Sequence, residues 1–303
     1  MEQPIQYVPQ KEIDKSRWDQ CIEQAANGRV YGYSYYLDCM ALNWDALVWG
    51  DYEAVMPLTW KKKYGISYLY QPFLTAQLGI FGKMVPGLTK KFISAIPSRF
   101  RLTEIALNST NTISESDPSF TQRNNFILPL DQTYEILQSH YQENTRRNCK
   151  KALQESCTVE KGFDADQVIA LALEQMQQYD RQSAAYVDQF RALYRILLEK
   201  KMATTYGVKR EGQLLASCCF FFSHQRAYYI LVGNHPQSRQ TGASHALLDG
   251  FIRDQAGTGI ILDFEGSDIP GLAAFYSSFG AVNEPYPFLK MNRLPFYLRW
   301  LKK

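Results

Sequence analysis

The chain has 303 residues, of which 46% are hydrophobic and 21% charged, the balance of an ordinary globular protein with room for two domains. This composition excludes long disordered segments, and a net charge of +3 is too small to indicate bulk nucleic-acid binding. The apolar runs are far shorter than the ~20 residues that a membrane span needs. We therefore expect no membrane span and a cytoplasmic location.

Cysteine and histidine usage argues against a metal site. The six cysteines include no Cys-x-x-Cys pair, and the four histidines are not spaced as metal ligands. Free thiols in a reducing compartment explain this pattern better than disulfides or zinc. We expect no metal.

In chain order, the first part alternates short helices with strands. Hydrophobic periodicity and turn residues predict helices over 18–26, 35–42 and 88–95. Strands are predicted over 45–49, 53–60, 64–70, 73–81, 102–107 and 125–130. The polar segment 108–122 is predicted to be a loop.

The second part repeats this order. Helices are predicted over 131–140, 145–155 and 188–200, and a further helix begins at Asp164. Antiparallel strands follow at 204–209, 213–223 and 226–232, then a loop, a helix over 246–255, a strand over 260–265 and a short helix. The fold class is α/β, with mixed sheets flanked by helices. We place a domain boundary between residues 130 and 131, giving domains 1–130 and 131–303.

The loop after the strand over 226–232 is typical of an anion site. Strand, glycine-containing loop, helix and strand form a crossover unit whose loop can present bare N–H groups at a helix start. The predicted cofactor-binding residues are therefore in this loop: Arg239, Gln240, Thr241, Gly242, Ala243 and Ser244. The alternative is an ordinary loop in which Ser or Thr caps a helix.

Two carboxylates end the next strand. Asp263 and Glu265 are two residues apart, so both point to the same face, at the carboxyl end of a parallel-type strand. Open α/β sheets usually bind ligands at that edge. The alternative is that one of the two carboxylates caps the next helix or pairs with a structural arginine.

Three segments carry a resemblance to a known family. The basic segment 144–152 resembles a helix start in the second domain of the Fem-type peptidyltransferases, and segments 263–267 and 275–280 are similar to two signatures of that family. The element order is that of the GNAT acyltransferase fold, present twice. The resemblance implies an N-terminal domain that is structural or binds an acceptor, and a C-terminal domain that binds an acyl donor and is catalytic.

The resemblance also implies roles for single residues. Arg239, Gly242 and Ser244 fall at positions of the GNAT pyrophosphate pattern, which implies acetyl-CoA or another acyl-CoA as co-substrate. Backbone amides on the strand ending at Val232 would polarise the thioester carbonyl. Asp263 or Glu265 would accept the proton of the incoming ammonium.

Tyr276 would protonate the departing thiolate, although its place in an apolar helical stripe also fits core packing. Fem enzymes usually carry a lysine there, and the long inserted helical hairpin of several Fem members is also missing. Both departures favour acyl-CoA over aminoacyl-tRNA as the donor.

Candidate acceptor residues are found in both parts of the chain. Arg146, Arg147 and Lys150, in a cluster with Lys151, could hold a phosphorylated or carboxylated substrate, and otherwise form a solvated helix face. Tyr70 and Gln77 could line an acceptor groove in the first domain, with core packing as the alternative.

The sequence thus predicts an N-acyltransferase that moves an acyl group from acyl-CoA to a small-molecule or peptide amine bound between two domains. One alternative is Fem-type transfer from aminoacyl-tRNA to a peptidoglycan precursor, with tRNA as partner. Another is a degenerate GNAT domain that binds without catalysing.

Overall fold

The computed structural model describes residues 3–114, 117–177, 186–266, 268–296 and 298. It divides into two compact units. The first contains Met1–Arg123 and Pro285–Lys303, and the second contains Asn124–Glu284.

The first unit is built on one sheet with three α-helices in its described part. These helices are α1 Lys15–Gln24, α2 Ser34–Met40 and α3 Leu88–Ala95. Its strands are β1 Ile5–Val8, β2 Trp44–Trp49, β3 Ala54–Lys63, β4 Ile66–Leu69, β5 Phe81–Gly82, β6 Phe100–Ala106, β7 Phe120–Arg123 and β15 Tyr286–Asn292. The strand order is β1-β2-β3-β4-β6-β15-β7, with β5 on β3.

Apolar burial holds the first unit together. Helix α1 buries Trp18 against Trp44 of β2, with ring centroids 5.1 Å apart. On α3, Phe92 belongs to a buried cluster with Phe100 and Leu289. Leu289 lies on β15, so the last strand is part of this core.

The second unit has its own sheet and seven helices within the described ranges. The helices are α4 Tyr134–Ser139, α5 Glu143–Gln154, α6 Ala165–Gln177, α7 Val187–Glu199, α8 Ser238–Thr241, α9 Ala243–Gln255 and α10 Pro270–Ser277. The strands are β8 Phe126–Pro129, β9 Thr158–Lys161, β10 Ala203–Arg210, β11 Gln213–Ser223, β12 Arg226–Asn234, β13 Ile261–Asp263 and β14 Val282–Asn283. The strand order is β14-β8-β13-β12-β11-β10-β9.

In this sheet β12 and β13 are parallel, whereas the other neighbouring pairs are antiparallel. Helix α9 packs on β10 and β11, and Phe251 stacks on Phe220 with ring centroids 3.7 Å apart. Helix α6 packs against β12 and β11. The crossover from β12 through α9 to β13 is the unit that the sequence predicts.

The division of the chain differs from the predicted boundary between residues 130 and 131. Strand β8 precedes that boundary but pairs with β13 and β14, which places it in the second sheet. Strand β15 lies in the predicted second domain but pairs with β6 and β7 of the first sheet. Both differences arise from pairings between strands that are distant in sequence. The functional roles assigned to the two domains stay predictions.

The predicted strand over 73–81 is mostly irregular. Leu74 and Gly79 have φ angles of 52° and 87°, which interrupt an extended run. Side-chain amides of Asn27, Asn108 and Asn111 donate to the carbonyl of Ile80. These hydrogen bonds replace a strand ladder, so only β5 remains.

Candidate functional site

Strand β12 carries a bulge where it pairs with β11. Cys219 pairs with Ile230, and Ser217 pairs with Gly233. One residue of β11 therefore lies opposite two residues of β12, which is a β-bulge. Bulges bend a strand and take backbone groups out of the ladder.

The two bulged residues are Leu231 and Val232. Leu231 has a φ of 48°, a strained conformation for a leucine. Such strain is often found where a backbone group serves a site. Val232 contributes to the lining of a cavity beside the bulge.

The cavity has a volume of about 950 Å³ and lies within the second unit. Strand β12 pairs with β13 only from Arg226 to Tyr228, and continues to Asn234 without that partner. Strand β13 ends at Asp263, and beyond that point residues from several elements surround the cavity. The lining residues are Asn144, Asn148, Gln175, Tyr229, Val232, Asn234, His235, Pro236, Ser238, Arg239, Ser244, His245, Gly271, Leu272, Phe275 and Tyr276.

The glycine of the predicted phosphate loop is required by its surroundings. Gly242 has a φ of 77°, and a Cβ built there would lie 2.3 Å from the backbone oxygen of Asn148 on α5. A side chain would meet both a disfavoured backbone conformation and a clash with a helix backbone. Gly242 thus lets α5 approach the start of α9 closely.

We expect Gly242→Ala to lower the free energy of unfolding more than Gly257→Ala does. Gly257 has a similar φ of 75° but has no atom within 4 Å of a built Cβ. In both variants an alanine must adopt the left-handed conformation, which costs about 1–2 kcal/mol of stability. Only in Gly242→Ala does overpacking against α5 add a further loss of about 1–3 kcal/mol. Urea unfolding of both variants measures the difference. Equal losses would contradict the close approach.

The loop itself is more ordered than predicted. The N–H groups of Gln240 and Thr241 donate to the carbonyl of Gln237, and that of Gly242 donates to the carbonyl of Ser238. These bonds form the single turn α8. The expectation of bare N–H groups is therefore wrong for residues 240–242, because the turn already uses them.

Hydrogen bonds fix the loop against the end of β12. The hydroxyl of Ser244 donates to Oδ1 of Asn234 over 2.6 Å and lies 2.6 Å from Oγ of Ser238. The N–H of Asn234 donates to Oε1 of Gln175 over 2.8 Å. Ser244 thus acts as an anchor for the start of α9.

The predicted cofactor residues divide into two groups. Val232, Arg239 and Ser244 line the cavity, and Arg239 is exposed. Thr241 and Ala243 are buried, and Gln240 is exposed away from the lining. The structure therefore brings three of these side chains together and leaves the others outside.

Asp263 has a structural environment. It is 2% exposed, and its Oδ2 accepts a hydrogen bond of 2.9 Å from the guanidinium of Arg226. Its Oδ1 accepts from the side chain of Asn125 over 3.1 Å and from the N–H of Glu265 over 2.9 Å. Arg226 also pairs with Glu284 at 2.6 Å. Asp263 thus has the environment that the sequence offered as the alternative, a pair with a structural arginine, and its role as a base stays a prediction.

Glu265 follows β13 and is not one of the residues that line the cavity. It has a φ of 64°, and its N–H is bound by Asp263. Burial, and then the charge of the Glu265 carboxylate, raise the pKa of Tyr276 to about 12. Tyr276 therefore keeps its proton at neutral pH and can donate a hydrogen bond.

Tyr276 lines the cavity although only 7% of it is exposed. Its ring stacks on Phe264 with centroids 4.5 Å apart and an interplanar angle of 21°. The packing alternative raised by the sequence therefore applies to the ring. The cavity position leaves a chemical role open to the hydroxyl.

His245 is a cavity residue that sequence reasoning missed. Its ring meets Phe275 edge-on, with centroids 4.9 Å apart, and burial lowers its pKa to about 4. The imidazole is therefore neutral at pH 7. Its position directly after Ser244, at the start of a helix, is the sequence signal that marks it.

The predicted acceptor residues are on different units. Arg146, Arg147 and Lys150 lie on α5, and Arg147 donates to Oδ1 of the lining residue Asn144 over 3.0 Å. Lys150 and Arg146 are exposed and do not line the cavity. One hydrogen bond, from Arg147 to Asn144, thus links the cluster to the cavity lining.

Gln77 and Tyr70 lie in the first unit. Gln77 is 2% exposed, and its Oε1 accepts the N–H of Ser109 over 3.1 Å. Its side chain therefore supports a loop, as the core-packing alternative expects, and its role as a substrate residue stays a prediction. The hydroxyl of Tyr70 accepts the N–H of Leu42 over 3.0 Å, and its ring remains partly exposed.

The described part of the chain contains no group of three or more His, Cys, Asp or Glu side chains that could hold a metal ion. Among the described helices, none combines the length and the apolar character that crossing a membrane requires.

Residues 139–270 match the family model described as the GNAT acetyltransferase domain. FemX has 14% sequence identity over 95% of this chain and 98% of its own, with a TM-score of 0.65. A conserved protein of unknown function from Bacteroides thetaiotaomicron has 12% identity over 96% and 100%, with a TM-score of 0.58. A tandem GNAT protein from the clavulanic acid biosynthesis pathway, without AcCoA, has 11% identity over 96% and 99%, with a TM-score of 0.54.

A comparison with curated proteins yields no match. The matched segment lies inside the second unit, where the cavity is. The predicted resemblance and the fold class are confirmed. The chain therefore has a two-domain, Fem-like tandem GNAT fold, and its residues 139–270 are similar to the GNAT acetyltransferase domain.

Proposed function

We propose that this protein is an N-acyltransferase that moves an acyl group from acyl-CoA to an amine. The proposal rests on one observation. A cavity of about 950 Å³ is lined by Val232 at the bulge, Ser244 at the start of α9, Arg239 and Tyr276. These are the parts that thioester aminolysis needs: an anion site, a carbonyl site and a proton donor.

Arg239 and the start of α9 would hold the diphosphate of the donor. A helix start carries partial positive charge, and Arg239 adds a full charge in the cavity lining. The hydrogen bonds of Ser244 to Asn234 and Ser238 keep this end of the helix in place. The turn bonds of residues 240–242 leave the phosphate contacts to the amide of Ser244 and to the side chain of Arg239.

The bulge would polarise the thioester carbonyl. Leu231 and Val232 have no register partner on β11, and both strands lie wholly within the described residues. An N–H group directed at the carbonyl oxygen stabilises the negative charge that develops there when the amine attacks.

Glu265 would act as the base and Tyr276 as the acid. The ammonium of the acceptor gives a proton to the Glu265 carboxylate, directly or through one water, and the neutral amine attacks the thioester carbon. When the C–S bond breaks, the Tyr276 hydroxyl protonates the thiolate, and the second proton that the amine nitrogen loses on becoming an amide restores the phenol. Glu265 is outside the cavity lining, but the charge of its carboxylate acts on Tyr276, which lines the cavity.

We expect Tyr276→Phe to lower kcat about tenfold, the value of one net hydrogen bond of about 1–1.5 kcal/mol. The KM for the donor should change little, because the ring keeps its stack on Phe264. Phe275→Leu, on the same helix, is the matched control and should alter KM rather than kcat. An unchanged kcat for Tyr276→Phe would assign the tyrosine to packing alone.

A second candidate donor is aminoacyl-tRNA. It is favoured by the cations Arg146, Arg147 and Lys150, one of which hydrogen-bonds to the lining residue Asn144. Binding of tRNA would weaken steeply with salt. Replacing Arg146, Arg147 and Lys150 by Gln would make the slope of log binding constant against log salt concentration less steep, by about 0.7–0.9 for each phosphate that the variant no longer neutralises. A flat salt response removes this candidate.

The direct test of the proposed activity is release of free thiol from acetyl-CoA in the presence of a panel of primary amines. Amine-dependent thiol release, with the acylated amine identified by mass spectrometry, is the expected result. Thiol release that does not depend on any amine would mean hydrolysis and would contradict the proposal.

A further inference from the structure

The hairpin of β3 and β4 ends in an unusual turn. Lys63 pairs with Ile66, and the two residues between them have positive φ angles, 50° for Tyr64 and 79° for Gly65. Such two-residue turns prefer Asn, Asp or Gly at the first position, because a bulky side chain is strained there. Tyr64 is nevertheless 92% exposed, so its ring gains almost no burial in return.

Three lysines lead into this turn. Lys62 and Lys63 are exposed and have no ion pair within the described structure. Lys61 lies over the ring of Tyr70, with Nζ 4.2 Å from the ring centroid, and Lys63 lies 5.4 Å from that of Tyr64. The tip thus combines an exposed ring with cations directly beside it.

The neighbouring strand adds positive charge. Arg101 on β6 is exposed and lies at the register shift opposite Ser67 and Tyr68 of β4. The carbonyl of Arg101 accepts the N–H of Arg293, whose guanidinium donates to the carbonyl of Ile96. Segments 60–69, 99–103 and 290–294 contain no Asp or Glu. The charged side chains of these three segments are therefore all positive.

We propose that the β3–β4 hairpin tip docks on an anionic lipid bilayer surface. A Tyr ring suits the headgroup level of a bilayer, where its apolar body and its hydroxyl both find partners, and lysines beside it are attracted to anionic headgroups. The strained backbone of Tyr64 and the repulsion between Lys62 and Lys63 destabilise the free hairpin. Contacts of the ring and the lysines with an anionic surface would offset that loss.

The shape of the tip favours a bilayer over a nucleic acid. A Cβ built on Gly65 has no atom within 4 Å, so the turn protrudes into open space. Single-stranded nucleic acids are usually bound in grooves whose walls stack on several bases. A protruding tip fits a flat, deformable surface instead. This docking is independent of the proposed transferase activity.

The test is co-sedimentation of the full-length chain with vesicles of phosphatidylcholine containing about 30% phosphatidylglycerol. We expect binding that falls with salt and is absent on pure phosphatidylcholine. Replacing Lys61, Lys62 and Lys63 by Gln should weaken binding roughly 100-fold, from the attraction that each lysine contributes near an anionic surface. A matched control replaces three exposed lysines elsewhere in the same unit, Lys11, Lys90 and Lys91, and should retain most of the binding.

Tyr64→Asn separates docking from folding. Asn suits the turn better, so the variant should unfold at the same or a higher temperature and yet bind the vesicles several-fold more weakly. Three results would overturn the proposal: no binding to anionic vesicles, equal weakening by the two triple variants, or hairpin-dependent binding of an RNA oligonucleotide in place of vesicles.

Discussion

Glu265→Gln is expected to lower kcat for acyl transfer to an alkylamine by about 10²- to 10⁴-fold at pH 7. The variant keeps the shape of the side chain and the N–H bond to Asp263, so its stability and its affinity for the donor should be unchanged. Without the carboxylate, attack depends on the small fraction of acceptor that is already neutral. That fraction rises about tenfold per pH unit below the amine pKa of about 10.4.

The pH profile therefore distinguishes a missing base from a damaged site. The rate of the variant should climb steeply from about pH 7 to about pH 9, and the deficit relative to the unmodified enzyme should shrink. Glu211→Gln, an exposed glutamate in the turn between β10 and β11, serves as the control and should behave as wild type. A Glu265→Gln enzyme with full turnover at neutral pH would remove Glu265 from the mechanism.

Arg226→Met is expected to lower the free energy of unfolding by about 3–5 kcal/mol. The side chain of Arg226 is 8% exposed and bonds to Asp263 and Glu284, whose side chains are 3% and 23% exposed. Its removal leaves two negative charges close together with little water to screen them. Removing one partner of a buried ion cluster lowers stability strongly, because it leaves uncompensated charge in the interior. Replacing the whole cluster by apolar residues would have a much smaller effect.

Arg191→Met is the matched control, because Arg191 also bonds to two carboxylates, those of Asp166 and Asp188. Those side chains are 55% and 96% exposed, so we expect a change of about 0–1 kcal/mol. Chemical unfolding of the two variants gives the comparison. Similar small decreases in the free energy of unfolding would mean that the Arg226 cluster is not protected from water.

The described structure shows how far local sequence patterns reach. Strand β11 and helix α3 have the predicted bounds, because alternation, turn residues and apolar spacing are local properties. The crossover from β12 to β13 also follows from local order. The bulge at Leu231 could not be predicted, because it depends on the register between two strands.

Long-range pairing limits what the sequence can predict. Strand β15 joins the first sheet between β6 and β7, although its residues follow the whole second unit in the chain. In the sequence Asp263 and Glu265 look equivalent, because both fall on the same face of a predicted strand. Only the fold brings Arg226, 37 residues earlier, to Asp263 and thereby gives the two carboxylates different environments. Ser267, part of one segment that resembles the Fem family, lies outside the described residues.

Isothermal titration with acetyl-CoA and with CoA tests most directly whether the cavity of the second unit binds an acyl-CoA donor. We predict binding in the micromolar range that Arg239→Ala weakens about tenfold, the effect of removing one hydrogen bond to a charged group. Arg195→Ala, an exposed arginine on α7, should bind as wild type. If the folded wild-type chain binds neither ligand, the donor assignment is contradicted, and tRNA-dependent or non-catalytic functions remain.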